Sequence, residues 1–366
     1  MGSPNRAAYQ AAIRQIDTLI RMGRGSEALP IFHTMLSKLP PRDLVASVAR
    51  LAWRIGDPIS GIRLLGPYVR PKARTRVSAT QQEKAEYAAC LIRFGIRNEA
   101  LFILAEVDRN KVPSVLLYTA FALISRWDYR QAIPLLTHYL KLPHIDPYNR
   151  FVAKTNLAAA LVYEREFPKA DFLLRDITYE LSLRRHNLLL GFIWELSAVH
   201  LIYQSKFSEA ERFLDRAAHL LKETTTLGEF FVRKWKTILA IMRDGTGENF
   251  EALNQIRTEA VKLGHWETLR DCDRFEAIRK KDRNLFLRLY FGTPFESFRE
   301  RLIRDFGNVA KIPETYDWRL GRMRRKTPIL DLSDSSLDTQ GLKSGQRLHR
   351  LLISLSRDFY RPRTVV

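Results

Sequence analysis

Apolar residues recur along most of the chain at intervals of three and four positions, which is the period of an amphipathic helix. One such series runs through Leu157, Leu161 and Leu174, and another runs through Trp194 and Leu201. The same spacing continues, more loosely, over residues 263–306. This pattern predicts an all-α protein whose helices are joined by short turns.

A short motif recurs seven times within this helical pattern. In each copy a turn-like segment is followed by a small residue that opens an apolar helix. We call these small residues the anchors, and they are spaced by 32 to 42 positions: Ala28, Gly61, Ala100, Ala132, Ala170, Ala210 and Ala252. A second small residue stands twelve positions before most anchors, at Ala49, Ala88, Ala120, Ala158, Ala198 and Ala240, whereas the first copy has Ile16 there. Two helices joined by a tight turn approach closely only where side chains are small, so the motif predicts repeated helical hairpins.

The hairpins resemble tetratricopeptide (TPR) repeats, over about residues 6–260. The best matches are residues 156–161 together with 167–170, and the segment 127–132 with its Trp-Asp-Tyr turn. The copies are longer than the roughly 34 residues usual in TPR proteins and mostly lack the closing proline. The extended repeats are similar to those of bacterial regulatory and signalling proteins. The resemblance implies a right-handed superhelical solenoid of about seven hairpins, and a non-repetitive helical bundle is the alternative.

The remaining sequence suggests three further segments after a solenoid that spans 1–260. Residues 261–306 are predicted to be helices that cap the solenoid, and residues 307–345 a basic and polar linker. Residues 346–366 combine an amphipathic helix, with leucines at 348, 351, 352 and 355, and a following Arg-Pro turn with Thr364 placed to cap a new helix. This end resembles the opening of a winged-helix domain, which implies a DNA-binding module continuing past Val366. An ordinary terminal helix with a frayed basic tail is the alternative.

In TPR proteins the first helix of each hairpin lines a concave surface that binds ligands. We call the corresponding surface of this chain the inner face, and locate it seven, eight and eleven positions before each anchor. The resemblance then implies a partner-binding set made of Arg21, Arg50, Trp53, Arg54, Arg93, Phe121, Tyr163 and Tyr203. Guanidinium groups bind carboxylates or phosphates and aromatic rings anchor apolar groups, so this set predicts a peptide or protein partner with acidic and apolar parts. The alternatives are a solvated face for the arginines and packing between repeats for the aromatics.

The overall charge leaves a second hypothesis open. The formal net charge is +20, which favours acidic partners, among them nucleic acid. The segment 319–326 concentrates this charge in Arg322, Arg324, Arg325 and Lys326. Direct nucleic-acid binding by the basic repeat surface and this cluster is therefore the alternative function, and a solvated tail is the alternative reading of the cluster itself.

Motifs for catalysis, metals and cofactors are absent from the sequence. The chain has two cysteines, at positions 90 and 272, and no histidine spacing typical of a metal site. Neither a phosphate-binding glycine loop nor a secretion signal is present, and the most apolar stretch, 188–203, carries Glu195 and His200. We therefore predict a cytoplasmic, non-enzymatic adaptor or sensor without metal or cofactor. The resemblance to TPR proteins implies that it acts as the regulatory part of a bacterial transcription or signalling regulator.

Overall fold

Helices make up all the regular structure in the part of the chain that the computed structural model describes, apart from one short 3-10 turn at 42–44. The described residues are 6–71, 78–184, 186–222, 226–307, 311–313, 358 and 360. The predicted all-α class is confirmed. Most of the predicted linker (307–345) and terminal segment (346–366), including the basic cluster of 319–326, lies outside the described residues. The chain divides into two compact units, Met1–Val232 (unit 1) and Arg233–Val366 (unit 2).

Unit 1 contains six helical hairpins, in which a first and a second helix alternate along the chain. The first helices are α1 (Arg6–Arg21), α3 (Val45–Ile55), α5 (Gln81–Phe94), α7 (Ser114–Ile124), α9 (Pro147–Tyr163) and α11 (Asn187–Ile202). The second helices are α2 (Gly25–Leu36), α4 (Pro58–Val69), α6 (Arg97–Ala105), α8 (Tyr129–Lys141), α10 (Phe167–Arg184) and α12 (Phe207–Leu221). A further helix, α13 (Thr226–Arg243), runs across the boundary between the units.

One turn geometry is repeated in all six hairpins of unit 1. A residue with positive φ stands five positions before each anchor: Gly23, Gly56, Gly95, Trp127, Arg165 and Ser205. The amide that follows it donates to the carbonyl five residues earlier, over 2.8–3.0 Å, which is the hydrogen bond of a Schellman helix end. Glycine adopts this left-handed conformation without strain, whereas the three non-glycine residues hold it against a cost of about 1–2 kcal/mol each.

The six anchors of unit 1 are buried, and the small residues twelve positions earlier are fully buried as well. The second hairpin shows why the anchor has to be small. A Cβ atom added to Gly61 would collide with the Sγ of Cys90 on α5 and press on Ala52 and on the carbonyl of Ala49. The Cys90 thiol itself donates to the Ala49 carbonyl over 3.6 Å. Three successive helices therefore meet at one glycine.

The seventh anchor was predicted in the wrong register. Ala252 in α14 (Gly247–Leu263) is only half-buried, and the buried face of this helix is formed by Leu253, Ile256 and Ala260. The left-handed residue of this turn, Gly245, stands seven positions before Ala252 rather than five. An alanine near the start of an amphipathic helix is common, so the sequence pattern alone could not separate this chance match from the six true anchors.

Unit 2 contains α14, α15 (Trp266–Lys280), α16 (Arg283–Phe291) and α17 (Glu296–Phe306). Its core combines ring contacts, such as Trp235 on Phe275 at 5.7 Å, with charged groups that are buried together. On α15 the side chains of Arg270 and Arg274 are 0% and 1% exposed. Arg274 is neutralised by Asp305, and Arg270 has a more elaborate set of partners that is described below.

Candidate functional site

Glu86, on the first helix of the third hairpin, gathers residues from three successive hairpins of unit 1. Its carboxylate is completely buried and accepts hydrogen bonds from Arg50 Nε at 3.1 Å, Trp53 Nε1 at 3.0 Å and Tyr118 Oη at 3.1 Å. Gln82, one turn earlier on α5, donates to the same carboxylate over 2.6 Å. Trp53 also packs edge-on against the Tyr118 ring at 5.6 Å. One carboxylate thus fixes the inward side chains of α3, α5 and α7.

A second carboxylate, Asp17 on α1, holds two further arginines of the predicted set, Arg21 and Arg54. Arg21 Nε donates to Asp17 over 2.7 Å, and Arg54 forms an ion pair with the second oxygen of the same carboxylate. Arg21 also reaches Asp146, at the start of the fifth hairpin, with Nη1 at 3.1 Å from both carboxylate oxygens. The Tyr148 ring lies 5.1 Å from the Arg21 guanidinium and 5.7 Å from that of Arg54.

The contact of Arg21 with Asp146 joins residues that are 125 positions apart in the sequence. Gly23, in the turn of the first hairpin, similarly lies against Leu188 of the sixth, where an added Cβ would stand 2.9 Å from Leu188 Cδ2. First and later hairpins of a stack touch only if the stack curves, and the touching residues lie on its inward side. The inner face of unit 1 is therefore concave, and the ion pair of Arg21 with Asp146 connects the first and fifth hairpins across it.

The ionisation of these groups follows from their partners. Burial opposes ionisation of Asp17, yet Arg54 and Arg21 hold its pKa below the usual range for an aspartate. The nearby Glu86 carboxylate is the main cause of a raised pKa at Arg50. Burial, and then the Glu86 charge, raise the pKa of the Tyr118 hydroxyl well above its usual value, so this phenol stays protonated as a donor. Each shift favours the protonation state in which the group makes its ion pair or hydrogen bond.

Three predicted residues at the edge of this arrangement make fewer contacts with described residues. Arg93 is exposed, forms no ion pair with any described residue, and places its guanidinium 5.8 Å from the Trp53 ring. Phe121 is half-buried, with its ring 6.4 Å from that of Tyr118. Arg54 is mostly buried, but its Nη2 atom has no hydrogen-bond partner among the described residues. These groups offer unused binding capacity on the inner face.

The remaining two predicted residues, Tyr163 and Tyr203, belong to a cluster of four aromatic rings. Tyr163 is stacked on Tyr129 with the ring centres 4.7 Å apart, and meets Trp127 edge-on at 5.8 Å. Tyr203 continues the series at 5.9 Å from Tyr163. Both tyrosines are half-buried. The left-handed backbone at Trp127 aims its ring into this cluster.

All eight predicted partner-binding residues thus lie in two clusters, five of them around Asp17 and Glu86, with Phe121 beside Tyr118 and the two tyrosines in the aromatic cluster. The sequence pattern placed Asp17 on the inner face, eleven positions before Ala28, but it missed Asp146 and Glu86 and paired none of the three with an arginine. The arginines at 21, 50 and 54 were predicted as donors to a partner, whereas Asp17, Asp146 and Glu86 already accept from them. Glu86 stands fourteen positions before its anchor, outside the positions predicted to face inward. The signal that could have revealed it is an acidic residue within an alanine-rich stretch of the helix.

Other kinds of site find no support in the part of the chain that the structure describes. No three His, Cys, Asp or Glu side chains there are grouped as metal ligands. Burial raises the pKa of the Cys272 thiol to about 12 and that of Cys90 further, so both are unreactive. None of the described helices is both long and apolar enough to cross a membrane. The nucleic-acid cluster predicted at 322–326 lies outside the described residues.

Comparisons with known proteins give a likeness of fold only. No protein-family profile and no curated protein sequence matches the chain. Among solved structures, it is similar to a Rap protein complexed with Competence and Sporulation Factor, with a TM-score of 0.56 and 11% identity over 82% of this chain and 89% of that one. The apo form of RapI aligns over 82% of this chain and 96% of its own, at 11% identity and a TM-score of 0.46. The chain therefore has the all-α, TPR-like helical-repeat fold that its hairpin pattern predicts.

Proposed function

We propose that this protein is a non-enzymatic interaction module, an adaptor or sensor, that binds a peptide or an extended protein segment on the inner face of unit 1. The observation that supports the proposal is that the predicted arginine and aromatic side chains contact one another, directly or through Asp17 and Glu86, in two clusters of unit 1. A Rap protein of similar fold has been seen in complex with Competence and Sporulation Factor, so a chain folded in this way can hold a second molecule. The regulatory part of a bacterial transcription or signalling regulator is the role that we propose for such a module.

The arginine cluster favours a partner with an acidic group. The free capacity there consists of Arg93, which is exposed, and of the unpartnered Nη2 of Arg54. An unsatisfied buried donor costs about 1–3 kcal/mol, so a ligand carboxylate that accepts from Arg54 recovers free energy that the empty face forgoes. Because Asp146 already accepts from Arg21, the carboxylate of a ligand has to compete with it or bind beside it.

The aromatic cluster favours an apolar group at the other end of the ligand. Tyr163 and Tyr203 are held in fixed positions by their ring contacts, and rigid rings bury apolar surface at little cost in conformational entropy. Tyrosine is also among the residues that most often dominate binding energies at interfaces. An extended segment with an acidic end and an apolar end therefore matches both clusters.

The test uses fluorescently labelled synthetic peptides of four kinds: acidic–apolar, uncharged–apolar, basic–apolar and wholly polar. The acidic–apolar peptide is expected to bind the wild-type protein most tightly. Arg93→Glu and Tyr203→Ala should each weaken its binding by about tenfold, the size of a moderate interface hot spot. Arg63→Glu is the matched control, because it makes the same charge change at an exposed position of α4, a second helix. Arg50 and Arg54 are poor choices for charge reversal, since each faces a carboxylate inside the fold.

Equal binding of all four peptides, or an equal loss in Arg63→Glu and Arg93→Glu, would contradict the proposed site. The same samples test nucleic-acid binding, which the net charge of +20 favours. When a DNA duplex binds through its phosphates, the logarithm of the binding constant falls linearly with the logarithm of the salt concentration. Tight, salt-sensitive duplex binding that Tyr203→Ala leaves unchanged would replace the peptide proposal with the nucleic-acid one.

A further inference from the structure

Arg270 in unit 2 is a fully buried guanidinium whose partners come from three places in the sequence. Its Nη2 donates to Asp358 over 2.7 Å and its Nε donates to Thr293 Oγ1 over 3.1 Å, while Glu267 pairs with Nη1. Asp358 is 2% exposed, whereas Glu267 is 44% exposed. The charge that balances Arg270 at depth is therefore that of Asp358, which lies 88 residues away along the chain.

Tyr360 fills the space next to this ion pair. Its ring lies 5.1 Å from the Arg270 guanidinium, and its hydroxyl donates to Asp273 on α15 over 2.7 Å. Its backbone amide donates to Asp358 over 3.1 Å, so the two residues form a compact turn. Burial, and then the neighbouring Asp273, raise the pKa of Tyr360 well above its usual value, which keeps the phenol protonated as a donor.

The described residues that form the surface under these two side chains belong to other parts of unit 2. Arg270 lies at its base, with the rings of Phe295 and Phe298 at 5.5 and 5.6 Å from the guanidinium. Asp273 is fixed on the other side by Arg257, whose Nε donates to it over 3.0 Å. The pocket thus presents a cation for a carboxylate and an anchored carboxylate for a phenol, and two phenylalanine rings flank the cation.

We propose that this pocket is a recognition site for a short Asp-x-Tyr motif, and that the protein's own Asp358 and Tyr360 occupy it as a releasable latch. Two elements of the pocket have a matching group in the motif: Arg270 takes the carboxylate and lies over the ring, and Asp273 accepts from the phenol. Without the motif, a buried guanidinium would keep only Thr293 and the largely exposed Glu267 as partners. An uncompensated buried charge is strongly unfavourable, so the pocket favours an occupant of this chemistry.

The test measures binding of a labelled peptide with the sequence of residues 358–362, Asp-Phe-Tyr-Arg-Pro, to the full chain. The double variant Asp358→Asn, Tyr360→Phe should bind this peptide, because its own latch is weakened while the pocket is intact. Wild type should bind it about tenfold more weakly or worse, since the internal segment competes. Asp305→Asn is the matched control: it breaks the equally buried pair with Arg274 and should bind the peptide no better than wild type.

A second measurement needs no variant. Excess peptide should displace the internal segment from wild type and speed trypsin cleavage after Arg357, whereas a peptide with Asn and Phe in place of Asp and Tyr should not. A double variant that keeps the wild-type circular dichroism but does not bind the peptide would overturn the proposal. So would cleavage that the peptide leaves unchanged, or equal binding of both peptides. Dimerisation of wild type that Asp358→Asn abolishes would also overturn it, because the segment would then dock onto a second copy.

Discussion

The close approach of three helices at Gly61 allows a quantitative test of the repeat packing. Gly61→Ala adds a single methyl group inside α4, where the carbon would overlap the Cys90 Sγ. Overpacking of a dense core costs about 1–3 kcal/mol, and glycine-to-alanine replacement in itself returns about 0.4–1 kcal/mol through the unfolded chain. Because the overlap is with a fully buried thiol, we expect the clash to dominate and the free energy of unfolding to fall by about 0.5–2 kcal/mol.

Two further variants separate the clash from the backbone effect. Gly25→Ala adds a methyl group to α2 with no atom within 4 Å, so it should leave stability equal or raise it by up to about 1 kcal/mol. Cys90→Ala removes the colliding sulfur, so adding it to Gly61→Ala should cost less than the two single losses together, with a coupling of about 0.5–3 kcal/mol. Urea unfolding followed by circular dichroism measures wild type, the three single variants and the double variant. Strictly additive losses, or a Gly61→Ala protein as stable as wild type, would refute the packing argument.

Three other outcomes follow from the structure of unit 1. Ser205→Gly removes the strain of an exposed residue with left-handed backbone and should raise the free energy of unfolding by about 0.5–1 kcal/mol. Ser182→Gly, in the helical part of α10, should lower it by a similar amount. Equal shifts of the two variants in thermal unfolding would contradict the turn geometry. Ala158→Leu, at a fully buried small position, should cost about 1–3 kcal/mol in the same assay, and an unchanged melting temperature would contradict the repeat register. Asp17 has a lowered pKa in the folded protein, so its stabilising effect is present above the unfolded pKa of about 3.9 and is lost as pH falls through the folded value. The difference in unfolding free energy between wild type and Asp17→Asn should therefore be constant near neutral pH and should disappear in acid. A difference that does not depend on pH would contradict the ion pair with Arg54.

The sequence by itself determined the fold class and six of the seven hairpins, and it also gave the eight residues that we propose as the partner-binding set of the inner face. It could do so because each of these depends on local spacing: helical periodicity, a small residue at a close approach, and a fixed offset from the turn. The register of the seventh hairpin was predicted wrongly because the local signal was a single alanine. Only the burial of Leu253, Ile256 and Ala260 showed which face of α14 packs into the core.

Pairings between distant residues were decided by the tertiary structure. Nothing in the spacing of Arg21 indicates that the curvature of unit 1 brings it to Asp146, or that Glu86 collects Arg50, Trp53 and Tyr118. The burial of Arg270 against Asp358 and Tyr360 depends likewise on how unit 2 packs. Periodicity along one helix predicts which side faces inward, but the partner of a charge is set by the curvature and packing of many helices together. The sequence could therefore not show which carboxylates neutralise the arginines of unit 1.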